Sequence, residues 1–430
     1  MKHSLVLLSL LLTGVLIASA QELAPKPDGE FFAKFQPLKA PVTTGLLLKK
    51  GDRLAIIGDS ITEQKMYSRA METYLTVCVP DLEVTTRQYG WGGETAEGFR
   101  ARMKNDCLRF DPTIATTCYG MNDHRYKAFT AENGAWYESN QLAIVRAFKT
   151  AGTRFVLGSP GCVGSKVPWA KGGSEEMNLN LCELRNIDLR MAASEGVAFA
   201  DVFWPMFTAG YAAQQKHGPD YAIAGKDGVH PGWAGSFIMA YAFLKALGLD
   251  GDLGRVEFDL TSGKVTASGG HEVLQTRNGA ASIASKRYPF CATGEAKSDD
   301  SIRSAMTLVP FNQELNRFTL VARNGKAAKY QVFWGASMKS YTTAELEAGI
   351  NLAADFPKNP FSEAFAKVDK AVAAKQEYET RQIKTLFHGP EGKVDMETVA
   401  KLTERAREPF VAAVREAFVP VKYALEVIPE

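Results

Sequence analysis

Five apolar runs, at 53–57, 82–89, 113–118, 154–158 and 197–202, alternate with stretches whose apolar residues recur at helical spacing. Tyr67, Ala70, Met71, Tyr74, Leu75 and Cys78 form one such stripe, and Trp233, Phe237, Ala240, Leu244 and Leu247 form the last. Shorter helical patterns run from Leu142 to Phe148 and from Leu181 to Met191. Strands that alternate with helices have few ways to bury their faces. A parallel pair needs a long crossover, so the pattern predicts a parallel sheet covered by helices on both sides, an α/β fold. In such a sheet ligands bind beyond the carboxyl ends of the strands. Residues that directly follow strands are therefore where chemistry is expected.

The texture changes after Gly248-Leu249-Asp250-Gly251-Asp252. Val256 to Leu260 and Tyr330 to Trp334 alternate apolar and polar, as half-buried antiparallel strands do. From about Thr342 the pattern becomes helical, broken by Pro357, Pro360, Pro390 and Pro409. Ala364–Lys384 and Met396–Phe418 are amphipathic and are expected to pack on the folded core. The chain thus divides into a leader (1–20), an N-terminal extension (21–50), an α/β domain (51–250), a β-rich accessory region (251–340) and a helical C-terminal region (341–430).

Lys2 precedes an apolar run, Leu5 to Ile17, which ends in Ala18-Ser19-Ala20. A short positive start, a hydrophobic stretch and small residues at a cleavage site read as a signal peptide, cut near Ala20. The run is short for a membrane span. An exported chain, periplasmic or extracellular, with no stable membrane insertion after cleavage is expected. A formal charge of +2 gives no basic field for nucleic acid. Six cysteines in so long an exported chain permit up to three bridges without specifying any. No Cys or His pair has ligand spacing, so neither metal nor other cofactor is implied.

The first apolar run ends in Gly58-Asp59-Ser60-Ile61-Thr62-Glu63, and about 170 residues later comes Asp227-Gly228-Val229-His230-Pro231. Gly-Asp-Ser alone is also ordinary turn chemistry. A serine hydroxyl becomes a nucleophile only with a base in hydrogen-bond reach. His230 is the best histidine for that work. Asp227 stands three residues before it and can hold one ring nitrogen protonated, leaving the other to take the Ser60 proton. His124, His217, His271 and His388 have no comparable neighbours. Two glycine-marked turns can supply oxyanion donors: Gly90-Trp91-Gly92-Gly93-Glu94-Thr95 after the second run, and Gly120-Met121-Asn122-Asp123 after the third. Singly, each reads equally as a loop.

Together, in this order, the four blocks resemble the SGNH (GDSL-type) hydrolases over about residues 51–248. The resemblance implies a flavodoxin-like three-layer α/β/α sandwich. It implies Ser60 as nucleophile, His230 as base and Asp227 as its orienting partner. The Ser60 and Gly93 N–H groups and Asn122 would form the oxyanion hole. Two positions depart from the family pattern, Gln88 for the usual Asn and Glu94 for the usual Asp, and put the geometry of that loop in question. Trp91 is a candidate platform for a sugar ring, whereas Trp136 reads as packing. The stretch Gly158–Gly173, with Val163, Val167 and Trp169, can cap a small acyl pocket. The expected activity is ester hydrolysis, with removal of a small acyl group, acetyl first, from a carbohydrate. Two alternatives stay open: a lipid or lysophospholipid esterase, and a carbohydrate-binding protein that keeps the fold without catalysis.

Overall fold

The computed structural model describes residues 22–430. The expected leader at 1–20 lies outside them. The first sheet holds β1 (Arg53–Gly58), β2 (Thr85–Gln88), β3 (Ile114–Cys118), β4 (Arg154–Gly158) and β5 (Ala198–Ala200) in the order β2-β1-β3-β4-β5, all parallel. Side chains alternate across it. Leu54 and Ile56 enter the apolar core on one face, and Ala55 and Ile57 enter the core on the other. Helices α1 (Tyr67–Val77), α5 (Phe203–His217) and α6 (Trp233–Ala246) cover the first face; α2 (Ala96–Asp106) and α3 (Ala131–Thr150) cover the second. Helix α4 (Ser174–Glu195) runs between α3 and α5 and gives residues to both cores. This is the three-layer sandwich the resemblance implies. Its strand order reverses at β1, so β2 and β3 leave β1 on opposite sides and open a crevice at their carboxyl ends.

The boundaries differ from the sequence reading in instructive places. The run 82–89 yields only β2, because Pro80–Leu82 forms a 3-10 turn first. Helices α2 and α5 carried no legible stripe. The buried set of α2 is Ala96, Phe99, Arg102 and Asp106, two of them charged, and α5 is apolar on most sides. The N-terminal extension is pinned by aromatic rings, with Phe35 packed 4.8 Å from Phe207 and Phe32 4.9 Å from Tyr211. All six cysteines are buried free thiols.

The accessory region forms two further sheets. One contains β6 (Asp252–Asp259), β7 (Val265–Ser268), β10 (Arg317–Arg323) and β13 (Ile350–Asn351), ordered β13-β10-β6-β7. The other contains β8 (His271–Arg277), β9 (Ala280–Ser285), β11 (Lys329–Trp334), β12 (Ser337–Thr342) and β14 (Val421–Pro429), ordered β12-β11-β14-β9-β8. The core is continuous with the α/β unit, through Phe237 of α6 at 4.7 Å from Phe311. The region 341–430 is not helical throughout: β14 returns to the second of these sheets and pairs with β9 and β11. Its alternation of buried Tyr423, Leu425 and Val427 was present in the sequence.

Two long helices, α7 (Ser362–Arg381) and α8 (Met396–Ala417), precede β14. Pro409 does not end α8; it sits on the exposed side, where water can serve the carbonyl its missing N–H leaves free. Helix α7 packs on α1 and along the open edge of β2. There the Thr86 carbonyl accepts from Lys375 Nζ at 3.0 Å and Arg407 Nη2 at 3.0 Å, while the Gln88 N–H donates to Glu379 Oε2 at 3.1 Å. An edge strand exposes unpaired backbone groups; here charged side chains satisfy them.

Candidate active site

Strand β1 delivers the chain to Asp59, whose carboxylate accepts from the Ile61 N–H at 2.9 Å and starts the short helix Ser60–Glu63. Ser60 therefore sits beyond the carboxyl end of β1, half-buried, on the side where the strand order reverses. The loop after β2 passes so close to this helix that a Cβ on Gly90 would lie 2.1 Å from the Glu63 nitrogen. Glycine there is a condition of the approach.

The Asp227–His230 turn lies immediately before α6, and α6 packs on α1. His230 Nε2 is 2.8 Å from Ser60 Oγ and its Nδ1 is 2.7 Å from Asp227 Oδ2. The other Asp227 oxygen accepts the N–H groups of Val229 and His230, each at 2.9 Å. Burial acts to raise the Asp227 carboxyl. The His230 N–H, the imidazole and the Val229 N–H outweigh it and hold the group below its usual range. A carboxylate so held stays ionised behind the ring.

Asn122 follows β3. Its amide is oriented at both ends, with Nδ2 donating to the Glu94 carbonyl at 2.9 Å and Oδ1 accepting from the Tyr126 hydroxyl at 3.1 Å. One N–H of the amide is thus used and the second is left over. In the neighbouring loop the Trp91 N–H donates to the Gly58 carbonyl, the Gly92 N–H to the Glu63 carboxylate and the Glu94 N–H to the Trp91 carbonyl. The Gly93 N–H, at φ +73°, takes part in none of these bonds. The three groups expected to bind an oxyanion lie on the segments that follow β1, β2 and β3.

Asp123 ties the two loops together by accepting from Ala96 N and Gly120 N, both at 2.9 Å. Burial pushes its carboxyl up to about 7 against those two bonds. It pushes the Asp59 carboxyl up to about 8, with Asp123 and Glu94 adding to the rise. His124 is buried, contacts the Met121 carbonyl, and is lowered by burial to about 4. It stays neutral near pH 7 and lies against the Tyr126 ring at 4.7 Å. His271 is bound between Ser285 and Leu253, and His388 pairs with Asp106.

The two departures from the family pattern have partners. Glu94 accepts both Arg102 Nε at 2.6 Å and Nη2 at 2.7 Å, and also the Tyr119 hydroxyl at 2.7 Å. Gln88 donates to Thr380 Oγ1 of α7 at 2.6 Å. The longer side chains reach groups a shorter one would miss. Trp91 is engaged by protein: Arg102 lies 4.9 Å and Lys384 Nζ 5.4 Å from its ring centre, and His388 meets it edge-on at 4.9 Å. That leaves less of the ring for a sugar than the sequence suggested. Trp136 is half-buried under the Arg125 guanidinium at 4.6 Å. Tyr126, unnoticed in the sequence, stands in the left-handed region at φ +53° beside Arg125 at +55°. Two such residues in a row hold a backbone conformation that costs non-glycine residues on the order of 1 kcal/mol each. Exposed Trp169, on the 159–173 loop, meets the Tyr126 ring at 6.1 Å.

A serine, histidine and carboxylate relayed at the strand ends of a β2-β1-β3-β4-β5 sheet defines the molecule's class, an α/β ester hydrolase. Residues 56–236 match the model of the GDSL-like Lipase/Acylhydrolase family. No curated protein matches the chain. Among solved structures, a gut microbial diltiazem-metabolizing enzyme, BT4096, is 21% identical, with a TM-score of 0.72 over 91% of this chain and 100% of its own. That likeness extends the shared fold through the accessory and C-terminal regions. A catalytic mutant of an acetylxylan esterase from Geobacillus stearothermophilus is 22% identical, at TM-score 0.40 over 47% of this chain and 97% of its own. An alpha/beta hydrolase enzyme, LAE5, from the metagenome of Lake Arreo, Spain, is 22% identical, at TM-score 0.39 over 47% and 98%.

Proposed function

We propose that this protein is an exported serine esterase that removes small acyl groups, acetyl first, from a carbohydrate through an acyl-enzyme. The observation that carries the mechanism is the relay from Asp227 Oδ2 to His230 to Ser60 Oγ, at 2.7 and 2.8 Å. Ser60 Oγ adds to the ester carbonyl as His230 Nε2 takes its proton. The carbonyl oxygen becomes an alkoxide, met by the spare Asn122 N–H and the backbone N–H groups of Gly93 and Ser60. Collapse breaks the bond to the sugar oxygen, which leaves with the proton from His230. Water, deprotonated by the same imidazole, then attacks the acyl-Ser60 ester, releasing acetate and restoring the hydroxyl.

The substrate half rests on the rim. Val163 and Val167 bury into the core and fix the 159–173 loop, and the Gly164 N–H donates to the Gly228 carbonyl beside Asp227 at 2.8 Å. The loop thereby bounds the acyl side of the crevice, while Trp169 and Tyr126 offer amphipathic rings to a sugar. Export rests on the leader at 1–20.

The test compares p-nitrophenyl acetate with butyrate and octanoate esters, followed by acetate release from an acetylated polysaccharide. Acetate turnover that falls with chain length, together with acetate release from the polysaccharide, supports the reading. Preference for octanoate moves the substrate to lipids. Binding of the polysaccharide without any turnover would establish the catalytically silent alternative.

A further inference from the structure

The polar pairs at the catalytic crevice are not all supplied by the α/β domain. Glu63 sits three residues after Ser60, on the same short helix. One of its carboxylate oxygens accepts the Gly92 N–H, and the other accepts Lys384 Nζ at 2.7 Å. Lys384 lies more than a hundred residues beyond the matched hydrolase segment, in the π-helical turn Gln382–Phe387 that continues α7. Such turns are rare inside helices and concentrate at functional positions. The approach is close: a Cβ on Gly92 would lie 2.9 Å from Glu63 Oε2 and 3.8 Å from Lys384 Nζ.

The same segment holds the rest of the loop. Lys384 lies over the Trp91 ring and His388 meets the ring's edge. His388 Nε2 also reaches Asp106 Oδ2 at 2.8 Å, on the helix whose Arg102 grips Glu94. Upstream, Thr380 holds Gln88. The run from Gln88 to Glu94, which contains Gly93, is therefore held by α7 and its π-turn on one side and by the Ser60 helix on the other.

We infer that the Lys384–Glu63 pair is a positioning device for the oxyanion hole, contributed by the C-terminal region. Lys384 holds Glu63, Glu63 holds the Gly92 N–H, and the next N–H, that of Gly93, is thereby aimed at the carbonyl oxygen above Ser60. The inference rests on the ester-hydrolase reading and adds a role for residues outside that domain. Lys384 touches no reacting atom. Its effect is on how well an existing donor is placed, and a donor misplaced by a fraction of its bond length loses part of its stabilisation of the transition state.

The experiment uses the full chain and p-nitrophenyl acetate, with kcat and KM measured for wild type, Lys384→Met, Lys384→Arg, Glu63→Met and the double variant Glu63→Met/Lys384→Met. Loss of a whole oxyanion donor lowers the rate about 10²–10³-fold. Loosening one should lower kcat about tenfold in Lys384→Met, with KM within about twofold. Arginine should restore most of it, and the double variant should be no worse than Glu63→Met. Inactivation by a p-nitrophenyl phosphonate, whose phosphoryl oxygen uses the same donors, should slow in parallel. If Lys384→Met does not fold, Glu63→Gln carries the same test, because it keeps an acceptor for Gly92 while removing the charge that holds Lys384. Unchanged kcat, a loss confined to KM, or no rescue by arginine overturns the inference and leaves the hydrolase reading intact. A folded wild type inactive on every ester overturns both.

Discussion

The carboxyl one position before the serine hydroxyl is the group whose protonation this fold constrains most usefully. In the folded chain Asp59 is raised to about 8 and Asp123 to about 7, both chiefly by burial, against ordinary values of 3.8. The folded state keeps protons the unfolded chain has released, so stability from these groups is complete below about pH 4 and is lost as pH climbs through 7–8. His124 and His271, each lowered by burial to about 4 from 6.5, act in the opposite sense and withdraw stability as pH falls through that interval. Between about pH 4 and 6.5 the two effects oppose; above it the aspartates act alone. Melting temperature should therefore fall from about pH 6.5 to 8.5. Asp59→Asn, which retains an acceptor for Ile61, should flatten the fall, and a wild-type Tm that holds or rises over that range would refute the assignment.

For catalysis, Ser60→Ala should leave the circular-dichroism spectrum unchanged and lower kcat at least about 10⁴-fold. Asn122→Ala should lower it about 10²–10³-fold with little change in KM. An Asn122→Ala enzyme within twofold of wild type would remove that side chain from the oxyanion hole. The residues in these predictions were legible in the sequence because each belongs to a local pattern, a glycine turn after a strand or a carboxylate three residues before an imidazole. Glu63, Tyr126 and Lys384 had no such pattern. Glu63 and Lys384 pair across 321 positions, a separation no periodicity or spacing records.

At the scale of elements, β2 shows how a parallel sheet ends without inviting another strand. The carbonyl of Thr86 and the N–H of Gln88 are met by Lys375, Arg407 and Glu379, and those three also pair among themselves. Burial works against the Glu379 carboxylate, but Lys375, Arg407 and Arg87 overcome it and hold the group well below the usual range. Removing one member of a buried cluster leaves charge without a partner. Glu379→Ala should lower unfolding free energy by about 3–5 kcal/mol, measured by urea denaturation at pH 7. A change under about 1 kcal/mol would mean water enters and replaces the carboxylate. The sequence announced α7 and α8 by their amphipathic stripes, but not this use of them. The charged residues concerned lie on the side facing β2, where periodicity alone predicts apolar packing.

Across the whole molecule, the strand most distant in sequence from its partners is β14. It pairs on one side with β9, as in Tyr423 with Ile283, and on the other with β11, as in Val427 with Val332. Both faces of its ladder are thus used, and Leu425 and Val427 lie in the shared core. Its amides should exchange with solvent hydrogen as slowly as those of β1 and β3, read by hydrogen-exchange mass spectrometry. Rapid exchange confined to 421–429 would show that the strand is an addition to a sheet that stands without it. A helical texture up to residue 418 masked this strand in the sequence. Its identity as a strand depends on two edges that form more than 85 residues earlier.

That placement has a temporal side. A ribosome delivers residues in order, so β9 and β11 emerge long before the strand that belongs between them. Until then each presents a bare rail of backbone donors and acceptors. During synthesis, the α/β domain can close on its own local contacts while this sheet waits with a gap in the middle. Arrival of residues 421–429 would be the step that completes it, and the gap is where a nascent chain would be most open to chaperones or to a neighbour's strand.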